Sequence, residues 1–201
     1  MTPLIGVLAL QGAFREHIDA FKRLGVGTRE IRALRDIAGI DALAIPGGES
    51  TTIGKLLTDT GLMPATREKI ASGLPVFGTC AGMILLCEEI EDSSQPRLGS
   101  LKAKVRRNAF GSQVDSFEEN LLIPELGDPP FPAVFIRAPF ITGIGDEARV
   151  LATVNKDGEN YIAAVRQDNI LTTAFHPELT ADDRFHKYFL KMIGNSAKRT
   201  T

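Results

Sequence analysis

Residues 74–86 of the chain, LPVFGTCAGMILL, combine a short apolar strand, a glycine-flanked turn and an apolar helix. The strand is predicted over Pro75–Phe77 and the helix over Met83–Ile90, with the turn Gly78–Gly82 between them. Strand-turn-helix units of this kind build parallel sheets that are covered by helices. This segment therefore predicts an α/β fold.

Two similar units precede this segment. Leu4–Leu10 is an uninterrupted apolar run of strand length, and Ala13–Leu24 carries apolar residues at the spacing of an amphipathic helix. Ala42–Ile45 is a second apolar run, and a helical stripe follows the residues Pro46-Gly47-Gly48 and ends at Gly61. Three such units in one half of the chain favour a doubly wound, flavodoxin-like mixed sheet flanked by helices.

The second half of the chain predicts mainly strands, which we expect to pair antiparallel because few helical stripes separate them. The candidate strands are Leu101–Val105, Val134–Ile136, Val150–Val154, Tyr161–Val165 and Ile170–Phe175. An apolar stripe at helical spacing predicts a closing helix and consists of Phe185, Tyr188, Phe189 and Met192. We therefore expect one mixed α/β domain over residues 1–201, with a frayed tail at residues 195–201.

Composition and charge exclude several classes of protein. The 201 residues carry 23 Lys and Arg against 25 Asp and Glu, so no basic surface for nucleic acid is expected. No apolar run is long enough to cross a membrane, and the N-terminus lacks the basic segment of a secretory signal. Cys80 and Cys87 lie too close together on one predicted helix to form a disulfide. We therefore expect a cytoplasmic protein with free thiols.

Cys80 is the candidate nucleophile. A cysteine on a sharp strand-to-helix turn needs small neighbours two residues before and two residues after it, and Gly78 and Gly82 occupy those positions. The start of the following helix favours the thiolate over the thiol, and the N–H of Ala81 can stabilise an oxyanion. Most free cysteines are buried structural residues, which we expect of Cys87, but the two glycines favour a catalytic role for Cys80.

His176 is the candidate base. It follows the last predicted strand, and in an extended chain the side chain of Glu178 projects to the same side as that of His176. Cys80, His176 and Glu178 thus predict a nucleophile, a base and an orienting acid. The alternative is a strand-terminal histidine beside a solvated glutamate. For His17 and His186, the charged neighbours in the sequence predict solvated positions on helices.

Five ordered motifs resemble a known family. The turn Gly78–Gly82 with a distant His-Pro-Glu is similar to the class I, triad-type glutamine amidotransferases. More narrowly, the chain resembles the glutaminase subunits of pyridoxal 5′-phosphate synthases. The segments that carry this resemblance are GVLALQGAFREH (6–17), PGGEST (46–51), RNAFGSQVDSFE (107–118), FIRAP (135–139) and FHPELT (175–180).

The resemblance implies that the chain hydrolyses the side-chain amide of L-glutamine. Cys80 would attack the amide carbon to form a thioester, and His176, oriented by Glu178, would protonate the leaving ammonia and then activate water. The oxyanion hole that the resemblance implies is formed by Gly48 and Ala81 and supported by Gln11.

The resemblance also implies a set of glutamine-binding residues, which comprises Gly48, Glu49, Ser50, Arg107, Ile136 and Arg137. A zwitterionic amino acid needs a carboxylate for its ammonium group and a guanidinium fork for its carboxylate, and Glu49 and Arg107 suit these roles. Ser112 departs from the family pattern, since members tend to carry arginine at this position.

The resemblance implies no metal and no cofactor. It implies a separate synthase subunit that receives the ammonia, with pyridoxal 5′-phosphate as the product of the complex. Three alternatives remain open at this point. One is another hydrolase with a cysteine on such a turn, for example a peptidase or a deglycase, and another is a non-catalytic regulatory module on the same fold. The third is an amidohydrolase that acts without a partner.

Overall fold

The computed structural model describes residues 2–107, 116–156 and 158–196. In chain order, the first half contains β1 (Leu4–Leu8), α1 (Phe14–Arg23), β2 (Gly27–Ile31), β3 (Ala42–Ile45), α2 (Ser50–Asp59), α3 (Leu62–Ala71), β4 (Val76–Thr79), α4 (Ala81–Leu86) and β5 (Cys87–Ile90). The second half adds β6 (Leu101–Arg106), β7 (Ser116–Leu121), β8 (Phe131–Ile136), β9 (Phe140–Ile144), β10 (Arg149–Lys156), β11 (Glu159–Gln167), β12 (Ile170–Thr173) and α5 (Arg184–Ser196). Of the expected tail, residues 197–201 lie outside the described residues.

Ten of the strands in the described residues form one mixed sheet, in the order β2-β1-β3-β4-β12-β11-β9-β6-β5, with β10 paired to β11. From β2 to β12 the neighbouring strands run parallel, whereas β11 pairs antiparallel with β9, β10 and β12. The strands β7 and β8 form a separate antiparallel pair. The prediction of a mixed α/β sheet flanked by helices is confirmed.

Four neighbouring parallel strands end at one edge of this sheet. Their last residues are Leu8 of β1, Ile45 of β3, Thr79 of β4 and Thr173 of β12. In the register, Phe77 of β4 pairs with Ala44 on one side and Leu171 on the other. The loops that follow these strands therefore start close together, at the place where open α/β sheets bind their ligands.

The prediction of a helix over Met83–Ile90 is wrong in its second half. The helix α4 ends at Leu86, and Cys87–Ile90 forms the strand β5. Glu88 and Glu89 interrupt the apolar run within this segment, and a pair of polar residues between two apolar ones suits the continuation of a helix as well as a short strand. The strand forms by pairing with β6, and in it Cys87 and Ile90 are buried while Glu88 and Glu89 are exposed.

The sequence patterns also leave β2, α3, β7 and β9 unpredicted. Among the described strands, β2 lies at the edge of the sheet, pairs with β1 alone and exposes most of its residues, so its sequence lacks the apolar run of its neighbours. None of the described helices combines the length and the apolar character needed to cross a membrane.

A cluster of aromatic rings joins α1 and α5 to the centre of the sheet. The ring of Phe77 in β4 lies 5.5 Å from that of Phe189 and 6.4 Å from that of Phe185, both in α5. Phe21 of α1 contacts the ring of His186 at 5.0 Å between centroids. All of these rings are buried, and each such pair adds about 1 kcal/mol beyond the area it removes from water. The two helices are therefore fixed against the strand that leads to Cys80.

Candidate active site

Cys80 lies on the turn between β4 and α4. Its φ angle is 48°, a left-handed value that residues other than glycine rarely adopt and that often marks functional sites. A Cβ added at Gly78 would lie 2.8 Å from the backbone of Gly82, and one added at Gly82 would collide with the carbonyl oxygen of Ile45. Both glycines are therefore required for the turn that holds the cysteine at the end of β4.

His176 and Glu178 form a buried pair just after β12. Nδ1 of His176 lies 2.7 Å from Oε1 of Glu178, and the two residues are 7% and 4% exposed. The 3₁₀ turn Pro177–Leu179 begins directly after the histidine and brings the two side chains together. The N–H of His176 donates to the carbonyl of Val134, which ties this loop to β8.

The pair carries opposite charges. Burial alone would lower the pKa of His176, but the hydrogen bonds to Cys80 and Glu178, together with their charges, raise it to about 10. Burial alone would raise the pKa of Glu178, but the contact with His17 and the hydrogen bond with His176 hold it below its usual value. A protonated imidazole beside a cysteine favours the thiolate, which is the nucleophilic form of the side chain.

These side chains adjoin a cavity of about 380 Å³ at the carboxyl ends of the strands. The predicted site residues that line it are Gln11, Gly48, Glu49, Ser50, Cys80, Arg107, Ile136, Arg137 and His176. Ala81 and Glu178 are buried beside it. Ser112 and the rest of the segment 108–115 lie outside the described residues. Within the described ranges, no three His, Cys, Asp or Glu side chains are arranged to hold a metal ion.

The loop that follows β3 lies directly against the nucleophile and the base. A Cβ added at Gly47 would collide with the ring of His176 and lie 3.3 Å from the Cβ of Cys80. Farther along the loop, the N–H of Glu49 donates to the side-chain oxygen of Gln11 at 2.8 Å. The backbone of this loop therefore approaches the site as closely as a glycine allows, and the loop after β1 holds it there.

Glu49 and Arg107 form the polar wall of the cavity. Burial opposes ionisation of Glu49, but its carboxylate accepts the N–H groups of Thr51 and Thr52, and these hydrogen bonds lower its pKa. A guanidinium nitrogen of Arg107 lies 3.8 Å from this carboxylate and another donates to Oε1 of Gln95 at 2.7 Å. Gln95 is buried and fixes the guanidinium, although no motif in the sequence marks it.

The expectation that His17 and His186 are solvated is wrong. Both residues are fully buried, and Nδ1 of His17 lies 3.1 Å from Nε2 of His186. Their charged neighbours in the sequence lie on other faces of α1 and α5. The helical spacing contained the signal, because Phe14 and Phe21 stand three residues before and four residues after His17, on the same apolar face.

Comparison with known proteins identifies relatives over nearly the whole chain. Residues 7–195 match the SNO glutamine amidotransferase family. The chain is 59% identical over 189 residues to a pyridoxal 5′-phosphate synthase subunit PdxT of Carboxydothermus hydrogenoformans, with 94% of this chain and 97% of the relative covered. The corresponding subunit of Moorella thermoacetica is 60% identical over 190 residues, with 94% and 99% covered.

Solved structures agree with the sequence comparison. A crystal structure of a glutamine amidotransferase superposes with a TM-score of 0.88 at 50% identity, covering 94% of this chain and 98% of the other. The structure of PurLQS from Thermotoga maritima has a TM-score of 0.67 at 16% identity, covers 100% and 99% of the two chains, and shows the shared fold alone. The family match and the identity to its curated relatives show that this chain belongs to the SNO glutamine amidotransferase family.

Proposed function

We propose that the chain is a glutaminase that hydrolyses the side-chain amide of L-glutamine and delivers the ammonia to a synthase subunit that makes pyridoxal 5′-phosphate. The observation that supports this most is that Cys80 and His176, from two distant parts of the chain, line one cavity, with Glu178 buried against His176. Family membership points the same way, because the relatives are subunits of pyridoxal 5′-phosphate synthase.

The first half of the reaction forms a thioester. The thiolate of Cys80 attacks the side-chain carbonyl carbon of glutamine, and the electron pair of the carbonyl moves to its oxygen. The N–H groups of Gly48 and Ala81, supported by Gln11, stabilise this oxyanion. As the carbonyl re-forms, the C–N bond breaks and the nitrogen takes the proton of His176, so that ammonia leaves. The raised pKa of His176 ensures that this proton is present at neutral pH.

The second half releases glutamate. His176 is now neutral and accepts a proton from water, whose oxygen attacks the thioester carbon. The resulting tetrahedral intermediate uses the same oxyanion hole, and its collapse breaks the C–S bond and restores the thiolate of Cys80. Glu178 remains ionised throughout and keeps Nδ1 of the imidazole directed toward itself, which leaves Nε2 for the proton transfers.

Six residues of the cavity wall are proposed to hold the substrate, namely Gly48, Glu49, Ser50, Arg107, Ile136 and Arg137. The guanidinium of Arg107 suits the α-carboxylate of glutamine, and the ionised Glu49 suits its α-ammonium group. Arg137 has a φ angle of 45°, so strained backbone occurs on both the nucleophile side and the substrate side of the cavity.

The partner and the location follow from the same proposal. The ammonia needs a consumer, and because the relatives are named as subunits of pyridoxal 5′-phosphate synthase, we infer that a separate synthase subunit is the partner. A thiol nucleophile must stay reduced, so we infer a cytoplasmic location for the chain. The proposed reaction requires no metal and no cofactor. The peptidase, deglycase and regulatory alternatives receive no support from relatives at 59% and 60% identity.

The test measures ammonia release from glutamine with and without the synthase subunit, together with labelling by 6-diazo-5-oxo-L-norleucine. We expect weak release by the isolated chain, stronger release with the synthase subunit, and a label mapped by mass spectrometry to Cys80. Cys80→Ala should abolish release and labelling while the fold is retained.

Cys87→Ala is the matched control. Cys87 is fully buried, and burial raises the pKa of its thiol, so this second cysteine is an inert one. Its variant should hydrolyse glutamine and accept the label on Cys80. Full glutaminase activity in Cys80→Ala would sink the proposed mechanism, and equal activity with and without the synthase subunit would contradict the proposed partner.

A further inference from the structure

A series of buried polar side chains lies behind the proposed catalytic residues, outside the wall of the cavity. Nε2 of His17 lies 3.0 Å from Oγ1 of Thr79 and 3.5 Å from Oε2 of Glu178, while its Nδ1 faces His186. The side chains of His17 and Glu178 are fully buried. The mechanism above uses neither His17 nor Thr79, although both adjoin its acid.

We propose that His17 is a positioning residue for the glutaminase reaction: its Nε2–H donates to Oγ1 of Thr79, whose hydroxyl faces Oε1 of Glu178, and this support holds the carboxylate in the orientation that receives the proton of His176 Nδ1. This inference rests on the proposed function. His17 touches neither the substrate cavity nor the reacting atoms, and it acts through Glu178.

The positions of the protons follow from the partners. Among the described side chains, Nδ1 of His186 is buried without a hydrogen-bond partner. A buried N–H without an acceptor costs about 1 to 3 kcal/mol, so we assign the proton of His186 to Nε2. That N–H then donates to Nδ1 of His17, 3.1 Å away. The proton of His17 must therefore be on Nε2, the nitrogen that faces Thr79 and Glu178.

Thr79 completes the arrangement. Its Oγ1 accepts the N–H of Gly47 at 3.1 Å and the N–H of His17 at 3.0 Å, which leaves its own hydrogen for Oε1 of Glu178 at 3.5 Å. Oε1 also receives the N–H of His176 at 2.7 Å. The second carboxylate oxygen, Oε2, is buried without a regular hydrogen bond within the described part of the chain, and Nε2 of His17 is 3.5 Å away.

The charge of His17 suits this task. Burial lowers the pKa of both histidines beneath the site, that of His186 to about 3, so both are neutral at pH 7. A neutral imidazole at position 17 donates a hydrogen bond without adding a positive charge. The negative charge of Glu178 therefore remains available to the imidazolium of His176. A cation at position 17 would draw the carboxylate away from the base.

The test compares three variants of the full chain assayed with the synthase subunit. His17→Phe keeps an aromatic ring among its aromatic neighbours but removes the N–H. His17→Gln keeps a donor that reaches the position of Nε2. His186→Phe is the matched control, since it removes the other imidazole from the same aromatic cluster and leaves Nε2 of His17 in place. Thermal unfolding confirms that each variant is folded.

We expect kcat to fall about 10- to 100-fold in His17→Phe, with KM for glutamine within about threefold of wild type, because the lost N–H supported the ionised Glu178 through Thr79. The kcat of His17→Gln should be at least about tenfold higher than that of His17→Phe. The kcat of His186→Phe should fall less than that of His17→Phe. A folded His17→Phe with wild-type kcat, or a folded His17→Gln no better than it, would overturn the proposal.

A second measurement needs no glutamine. Iodoacetamide alkylates Cys80, and the rate of alkylation reports on the surroundings of this side chain, which include His176 and, through it, Glu178. We expect alkylation to slow in His17→Phe and to recover in His17→Gln, whereas equal rates in all variants would refute positioning. If wild type releases no ammonia while the alkylation rates still follow this order, then the proposed function fails and the positioning role stands.

Discussion

Replacing Glu178 by Gln removes the charge that faces His176 and keeps the size of the side chain. In the native protein the pKa of His176 rises from 6.5 to about 10, against the opposing effect of burial. At about 1.4 kcal/mol for each pH unit, this rise corresponds to about 5 kcal/mol of stabilisation of the imidazolium. Cys80 and Glu178 together produce this rise and also offset the effect of burial, so an equal division between them predicts that Glu178→Gln lowers the pKa of His176 by at least about two pH units.

The assay for this variant has two parts. NMR follows the titration of the His176 ring, and kcat/KM for glutamine is measured between about pH 5 and 10. We expect the midpoint of the ring titration and the alkaline limb of the activity profile to move down by at least about two pH units. At neutral pH kcat should fall by about 10² to 10⁴, because the ring also loses the group that orients it.

Cys80→Ala provides the control for the NMR part, since it removes the other partner of the ring and keeps Glu178. Its His176 should titrate at least about two pH units below the native value, close to the result for Glu178→Gln. An unchanged His176 titration in folded Glu178→Gln would refute the reasoning, because the carboxylate would then contribute nothing to the charge of the base.

Three further changes test other parts of the structure. Gly82→Ala places a Cβ against the carbonyl oxygen of Ile45, so urea unfolding should show a loss of about 1 to 3 kcal/mol, and a variant as stable as wild type would contradict this contact. Gln95→Ala removes the buried acceptor of Arg107, so steady-state kinetics should show KM for glutamine raised about 5- to 20-fold and kcat nearly unchanged. Burial lowers the pKa of His186 to about 3, so between pH 6.5 and 3 only the unfolded chain binds this proton and stability declines with acid. Urea unfolding at several pH values should show a shallower decline for His186→Phe.

The parallel half of the sheet is predictable because its central strands are buried on both faces. β1, β3 and β4 are therefore short apolar runs bounded by turns, which a local pattern reveals. The edge strand β2 and the strand β5 are different, since their strand form depends on pairing with β1 and β6. Such pairing joins distant parts of the chain, and no local spacing of apolar residues encodes it.

The candidate site divides in the same way. The sequence marks Cys80 because a glycine lies two residues before it and another two residues after it. It marks His176 because Glu178 follows two residues later. Gln95 gives no such signal, since its contact with Arg107 depends on how the intervening chain folds. The roles assigned to these residues remain predictions for the variants above to test.

The neighbouring positions of β3, β4 and β12 have a mechanical consequence. The loop of Gly47, the nucleophile Cys80 and the base His176 each follow one of three adjacent strands, so their lateral separations are set by the spacing of a hydrogen-bonded ladder, about 4.8 Å per strand. The reacting groups are therefore held at distances that the hydrogen-bonded sheet fixes. Strands remote from this edge can accumulate substitutions without altering the distances on which the reaction depends.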